Sequence, residues 1–122
     1  MRLALPGVAL LLAAQTAGAT QPAVFKPFAL QNISAITSGI AQPSAVVSGD
    51  WNGDTRTDLV VADSAGNRVS LILGDGTASF IQATDYVVGA RPIALATADF
   101  NFDTALDIAV LSADSRTVTI LA

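Results

Sequence analysis

Asp50-Trp51-Asn52-Gly53-Asp54-Thr55-Arg56-Thr57-Asp58 runs directly into Leu59-Val60-Val61-Ala62. Forty-nine residues later, Asp99-Phe100-Asn101-Phe102-Asp103-Thr104-Ala105-Leu106-Asp107 runs into Ile108-Ala109-Val110-Leu111. Both ladders read D-x-N-x-D-x-x-x-D, and each feeds an apolar run of strand length. Self-similarity at a fixed period of this size is the mark of a repeat architecture.

The likeness extends outward from the ladders. Gln42-Pro43-Ser44-Ala45-Val46-Val47-Ser48-Gly49 aligns with Arg91-Pro92-Ile93-Ala94-Leu95-Ala96-Thr97-Ala98, and Arg68-Val69-Ser70-Leu71-Ile72-Leu73 aligns with Thr117-Val118-Thr119-Ile120-Leu121-Ala122. Each unit parses into strands and turns. Residues 44–49 predict a strand A and residues 58–62 a strand B, whose unbroken apolar run points to burial on both faces. Asp63-Ser64-Ala65-Gly66-Asn67 is a turn cluster. Residues 68–73 predict strand C, with Val69, Leu71 and Leu73 alternating against Arg68, Ser70 and Ile72. Gly74-Asp75-Gly76 is a second turn, and residues 80–87 contain strand D. Pro43 and Pro92 stand where strands start and no backbone donor is needed.

Four strands and three turns per unit is the content of one propeller blade. The stretch from Phe28 to Gly39 resembles residues 80–89, which would make it a D strand with no A, B or C before it. The expectation is therefore an all-β chain, a partial propeller of two four-stranded blades in the order D-ABCD-ABC, preceded by a signal peptide. Its divisions are a leader over residues 1–19, an N-terminal segment over 20–41, a first repeat over 42–91 and a second, incomplete repeat over 92–122.

Composition supports strands and excludes several chemistries. All ten acidic residues are Asp and none is Glu. Glu is a good helix former, whereas Asp favours turns and caps. The net charge is −4 and the six basic residues are scattered. Nucleic acid is not an expected partner, because phosphate contacts need clustered Lys and Arg. There is no Cys and no His. That removes disulfides, thiolate and imidazole catalysis, and the usual zinc ligands. Any metal must be a hard cation held by oxygen, calcium first and magnesium second.

Arg2, the apolar stretch from Leu3 to Ala14, and Ala17-Gly18-Ala19 read as a secretory signal cleaved near Ala19. The stretch is shorter than a spanning helix needs and contains Pro6 and Gly7, so no membrane span is expected in the mature chain. The expected location is secreted or extracytoplasmic.

The ladders point to calcium, two sites in all. Calcium takes six to eight oxygens, and alternate side chains of a tight loop can turn onto one centre. The first site would use Asp50, Asn52, Asp54, the carbonyl of Arg56 and Asp58. The second would use Asp99, Asn101, Asp103, the carbonyl of Ala105 and Asp107. An EF-hand needs a Glu at position twelve; Val61 and Val110 stand there, so that motif is rejected. Gly74-Asp75-Gly76 is no phosphate loop, since no Lys follows and no helix opens. Trp51 and Phe100, both at position two, are expected to pack between blades.

The pattern P-x-x-x-x-x-G-D-W-N-G-D-x-x-x-D-L-V-V-A, followed by N-R-V-S-L-I-L-G-D-G-T-A-S-F, resembles the FG-GAP/VCBS-type repeat, which includes the calcium-binding blades of integrin-α-like β-propellers. The resemblance covers about residues 42–122. It implies a calcium-binding module with structural, adhesive or ligand-binding roles toward extracellular protein or carbohydrate. The family usually closes a propeller of more blades than the two found here, so open blade edges invite self-association. It also usually has Gly at ladder position six, where this chain has Thr55 and Thr104. Gly eases a turn with positive φ and a β-branched residue resists it, which bears on calcium affinity. The module is expected to have no catalytic residues. The alternative is a non-catalytic scaffold part of a secreted hydrolase or lyase.

Overall fold

The computed structural model describes residues 39–122, apart from Ala78 and the side chains of Gln82 and Ala83. The leader expected over residues 1–19 lies outside the described residues. So does nearly all of the strand expected over 28–39, of which Gly39 is a turn residue.

Seven strands make up the described fold: β1 (Pro43–Gly49), β2 (Asp58–Asp63), β3 (Arg68–Gly74), β4 (Phe80–Val87), β5 (Pro92–Ala98), β6 (Asp107–Ser112) and β7 (Thr117–Leu121). No helix occurs among the described residues. The strands form two antiparallel meanders, β1-β2-β3-β4 and β5-β6-β7. These are propeller-like blades, the second with three strands. Pro43 and Pro92 open their strands as the sequence predicts.

The repeat is reproduced in the hydrogen bonds. The Ser64 N–H donates to the Gln42 carbonyl and the Ala113 N–H to the Arg91 carbonyl, each at 2.9 Å. Both β2–β3 and β6–β7 hairpins close on a left-handed residue, Asn67 at φ 51° and Arg116 at φ 55°. A shared turn type fixes a shared register on both sides of the hairpin.

The core lies between the two sheets. Val60, Ala62 and Val69 of the first meet Ile108 and Val110 of the second, with Ala45, Val47, Leu71, Leu95 and Leu121 around them. Burying each large aliphatic side chain contributes about 1.5–3 kcal/mol. The Ser44 hydroxyl adds a polar link, donating to the Pro92 carbonyl at 2.6 Å.

Strand β2 is buried on both faces, as its apolar run implies. Strand β3 departs from simple alternation. Ser70 and Ile72 are as fully buried as Val69, and a bulge at Leu71/Ile72 shifts the register against β4. A strand covered on both sides has no solvent face for alternation to mark. Trp51 packs on the core between the sheets as expected. Phe100, its repeat equivalent, does not; it is 45% exposed. No second sheet lies over that side of β5–β7 among the described residues.

Candidate metal centre

Each ladder is the loop between the first two strands of its sheet. Asp50 follows β1 and Asp58 opens β2; Asp99 follows β5 and Asp107 opens β6. Within the first loop, Asp50 gathers backbone donors. Its Oδ1 accepts from Gly53 N–H at 2.8 Å and Asp54 N–H at 3.1 Å, and its Oδ2 accepts from Thr55 N–H at 2.8 Å. Asn52 Oδ1 accepts from the Asp54 N–H at 3.0 Å, and Asn52 Nδ2 donates to Asp54 Oδ2 at 2.9 Å. The Arg56 N–H donates to Asp54 Oδ1 at 2.8 Å.

The second loop repeats this network almost bond for bond. Asp99 accepts from Asp103 and Thr104 N–H at 3.1 and 2.8 Å. Asn101 and Asp103 exchange the same two bonds at 2.9 Å, and the Ala105 N–H donates to Asp103 at 2.8 Å. Two loops of different sequence at positions two, four, seven and eight thus adopt one conformation, so the shared Asp, Asn and Thr positions dictate it.

The backbone confirms the sharp turn anticipated at position six. Thr55 stands at φ 69° and Thr104 at φ 74°. Position four is also left-handed, at Gly53 (φ 74°) and Phe102 (φ 62°). Such a conformation in a β-branched or bulky residue is a genuine outlier, costing about 1–3 kcal/mol unless the surroundings over-determine it. Here the over-determination is the carboxylate of Asp50 or Asp99, which holds the residue-six N–H.

Asp58 and Asp107 have a different setting from the other ladder carboxylates. Both are fully buried. Asp58 Oδ2 accepts the Trp51 N–H at 3.0 Å, and its Oδ1 accepts the Gly74 N–H at 2.9 Å. Asp107 Oδ2 accepts the Phe100 N–H at 2.8 Å. Each therefore ties the start of its loop to the base of the next strand. Gly74 is required at the end of β3, because a Cβ there would collide with the Thr57 carbonyl oxygen. The ladder pattern names Asp58 but gives no sign of Gly74 as its partner.

Hydrogen bonding also sets the charge state at the loop tips. The Arg56 N–H, then the Asn52 amide, holds the Asp54 carboxyl below its ordinary value. The Ala105 N–H, then Asn101, does the same for Asp103. Both are exposed and ionised at neutral pH.

As a donor set the loops fit a hard cation. They offer carboxylate and amide oxygens and no soft atom. An ionised carboxylate has about four acceptor positions and an amide oxygen two. Counted over the described residues, Asp50 accepts three bonds and Asn52 Oδ1 one, so each keeps lone-pair capacity. Among the described residues, no three acidic side chains converge in a grouping that could hold a metal ion. In each loop the first and middle ladder residues share one hydrogen-bond network, and Asp58 or Asp107 is joined to its loop through the residue-two N–H.

One functional-looking residue escaped the ladder pattern. Asp63, at the end of β2, is fully buried. Burial alone would raise its carboxyl, yet the N–H groups of Ala41, Gln42 and Gly66 and the Arg68 guanidinium hold it low. It accepts from Ala41 and Gln42 at 3.1 and 2.9 Å and pairs with Arg68 at 3.4 Å. It anchors the chain entering β1. The available signal was a carboxylate closing an apolar strand just before a Gly-containing turn.

Tandem antiparallel meanders with an Asp-Asn-Asp loop between their first two strands define a repeat protein of propeller-like blades. The FG-GAP-like repeat matches residues 50–110, half of the chain, and the chain belongs to that family. No curated protein and no solved structure matches it.

Proposed function

We propose that the chain is a secreted calcium-binding repeat module, in which calcium rigidifies the β1–β2 and β5–β6 loops of a propeller-type scaffold for structural, adhesive or ligand-binding roles. The observation that carries this reading is the doubled strain. Thr55 and Thr104 both hold a left-handed backbone that costs free energy, and the same side chains surround each. Strain kept twice in register is the mark of a loop shaped for a ligand. Asp50, Asn52, Asp54, the Arg56 carbonyl and Asp58 would hold one ion. Asp99, Asn101, Asp103, the Ala105 carbonyl and Asp107 would hold the other. A divalent ion bound there would draw these oxygens onto one centre and offset their negative charge.

A non-catalytic role is supported by how the carboxylates are used. At the loop tips Asp54 and Asp103 are held ionised, and at the base Asp58 and Asp107 accept backbone N–H groups, so the ladder carboxylates are used as acceptors. Among the described residues no helix is long and apolar enough to cross a membrane. Export also suits the ligand, since extracellular calcium can fill sites of modest affinity. Extracellular protein or carbohydrate would then be the partner.

Thermal unfolding in calcium and in EDTA tests the reading. Calcium is expected to raise Tm by the binding contribution, RT ln(1 + [L]/Kd) per site. The Asp50→Ala/Asp99→Ala double variant is expected to lose that rise. Equal Tm values for the unaltered chain in the two buffers would end the calcium proposal.

A further inference from the structure

The two ladder loops share one conformation but differ at position four, where Gly53 follows Asn52 and Phe102 follows Asn101. In both loops the Asn Oδ1 accepts the N–H two residues on, at 3.0 Å from Asp54 and 2.9 Å from Asp103. That bond turns the amide back over the intervening peptide. It also polarises the amide carbonyl, as an N–H donor does for a carbonyl under attack. In the first loop the intervening N–H, that of Gly53, donates to Asp50 Oδ1 at 2.8 Å. A carboxylate therefore stands ready to take its proton. Gly53 has no side chain to crowd the approach, and the space where a Cβ would stand is open. Asn52 and Gly53 are both exposed, so water reaches the site.

We propose that Asn52 is a self-modification site, at which the first loop converts its own amide to a carboxylate while the second loop stays unchanged. The Gly53 nitrogen attacks Asn52 Cγ and closes a cyclic imide, a succinimide. The bond formed is Gly53 N to Cγ, and the bond broken is Cγ to Nδ2. The Gly53 proton passes by way of Asp50 Oδ1 and solvent to the leaving nitrogen, which departs as ammonia. One water then opens the ring at either carbonyl, giving aspartate or isoaspartate. No electrons are transferred, and one water is consumed for each ammonia released. The other described candidates are blocked. At Asn101 the Phe102 side chain crowds ring closure. Asn67 Oδ1 is turned to the Arg91 N–H at 2.9 Å, away from its own following residue. Asp75 precedes Gly76, but the Thr77 hydroxyl and N–H hold its carboxyl ionised, and a carboxylate resists attack. Conversion therefore alters one loop of the two. Asn52 Nδ2 donates to Asp54 Oδ2 at 2.9 Å; a carboxylate in its place meets Asp54 with like charge. Isoaspartate carries the main chain through its Cβ, so Gly53, Asp54 and Thr55 shift from the Asp50 carboxylate that holds them. The reaction needs no ion in the loop.

The unaltered chain is incubated in mildly alkaline buffer with EDTA, and Asn52, Asn67, Asn101 and Asp75 are followed by peptide mapping with isoaspartate detection. Asn52 is expected to convert, with release of ammonia, while the other three stay unchanged. Phe102→Gly is expected to install the same reaction at Asn101; Gly suits the left-handed backbone there, so the fold is retained. Gly53→Phe is expected to abolish the reaction at Asn52, and Phe102 shows that this loop conformation accepts Phe at position four. Asp50→Asn keeps an acceptor for the Gly53 N–H but removes the base, and is expected to slow conversion several-fold. An intact Asn52, equal conversion at Asn52 and Asn101 in the unaltered chain, or a Phe102→Gly chain whose Asn101 stays intact would overturn the proposal. An unchanged rate in Asp50→Asn would overturn Asp50 as the proton acceptor.

Discussion

Gly74 donates its backbone N–H to the buried carboxylate of Asp58 at 2.9 Å, so the last residue of β3 is tied to the first residue of β2. The same carboxylate takes the Trp51 N–H at 3.0 Å. One side chain thus fixes the entry to the ladder loop and the exit from the neighbouring strand. Whatever the loop binds is held against a rigid base.

Asp58→Ala is expected to destabilise the fold by about 2–4 kcal/mol, because it leaves buried donors without acceptors. Asp58→Asn keeps one acceptor and is expected to cost less. Urea unfolding measures both. Equal stability of Asp58→Ala and the unaltered chain would refute the clamp.

Thr55→Gly and Thr104→Gly should each stabilise the chain in EDTA. A left-handed residue with a Cβ costs about 1–2 kcal/mol, and Gly gives back about 0.5–1 kcal/mol in unfolded-state entropy. The expected net gain is roughly 0.5–1 kcal/mol per site. If the strain also limits metal affinity, calcorimetric titration of the double variant will show tighter calcium binding. A loss of stability in either single variant contradicts the strain assignment.

Terbium can report on the first loop separately, because Trp51 sits at ladder position two and Phe100 takes that place in the second. Exciting Trp51 in the presence of terbium is expected to give sensitised emission that calcium competes away. Asp54→Ala should abolish it and Asp103→Ala should leave it nearly unchanged. Emission that survives Asp54→Ala would show that terbium binds elsewhere.

Acid should unfold the chain in a defined window. Hydrogen bonds lower the carboxyls of Asp54, Asp103 and Asp75, and backbone donors outweigh burial to lower that of Asp63. A depressed folded-state value means the folded chain binds fewer protons than the unfolded one. The stabilisation is therefore complete above the unfolded carboxyl value of about 3.9 and is lost as pH falls through the lower folded values. Denaturant midpoints are expected to hold level from neutral pH to about 5 and then to drop. Asp63→Asn should flatten part of that drop. A midpoint that rises on acidification would reverse the assigned direction.

The ladders and their period were legible in sequence because an Asp-Asn-Asp loop and a strand repeat both write themselves locally. Alternate Asp and Asn residues, β-branched runs and Gly-containing turns each act within a few residues. From them came the strand boundaries, within one residue at most ends, and the two equivalent loops. Position six was legible too, as a conflict between Thr and a left-handed turn, and the backbone shows the turn prevailing.

What no local pattern could give is which face of each strand meets another sheet. Val69 and Val118 occupy the same place in the repeat, yet one is fully buried and the other 62% exposed. Ser70 looked like the polar side of an alternating strand and is buried. Asp58 looked like one ligand among five and is also the acceptor for Gly74, sixteen residues on. The sequence by itself determined a twofold repeat of strands and oxygen-rich loops, since those follow from backbone preference and short-range hydrogen bonding. Only the tertiary structure decided which copy is covered, because burial depends on what stacks against a sheet, and two repeat-equivalent faces differ as soon as one of them has a neighbour.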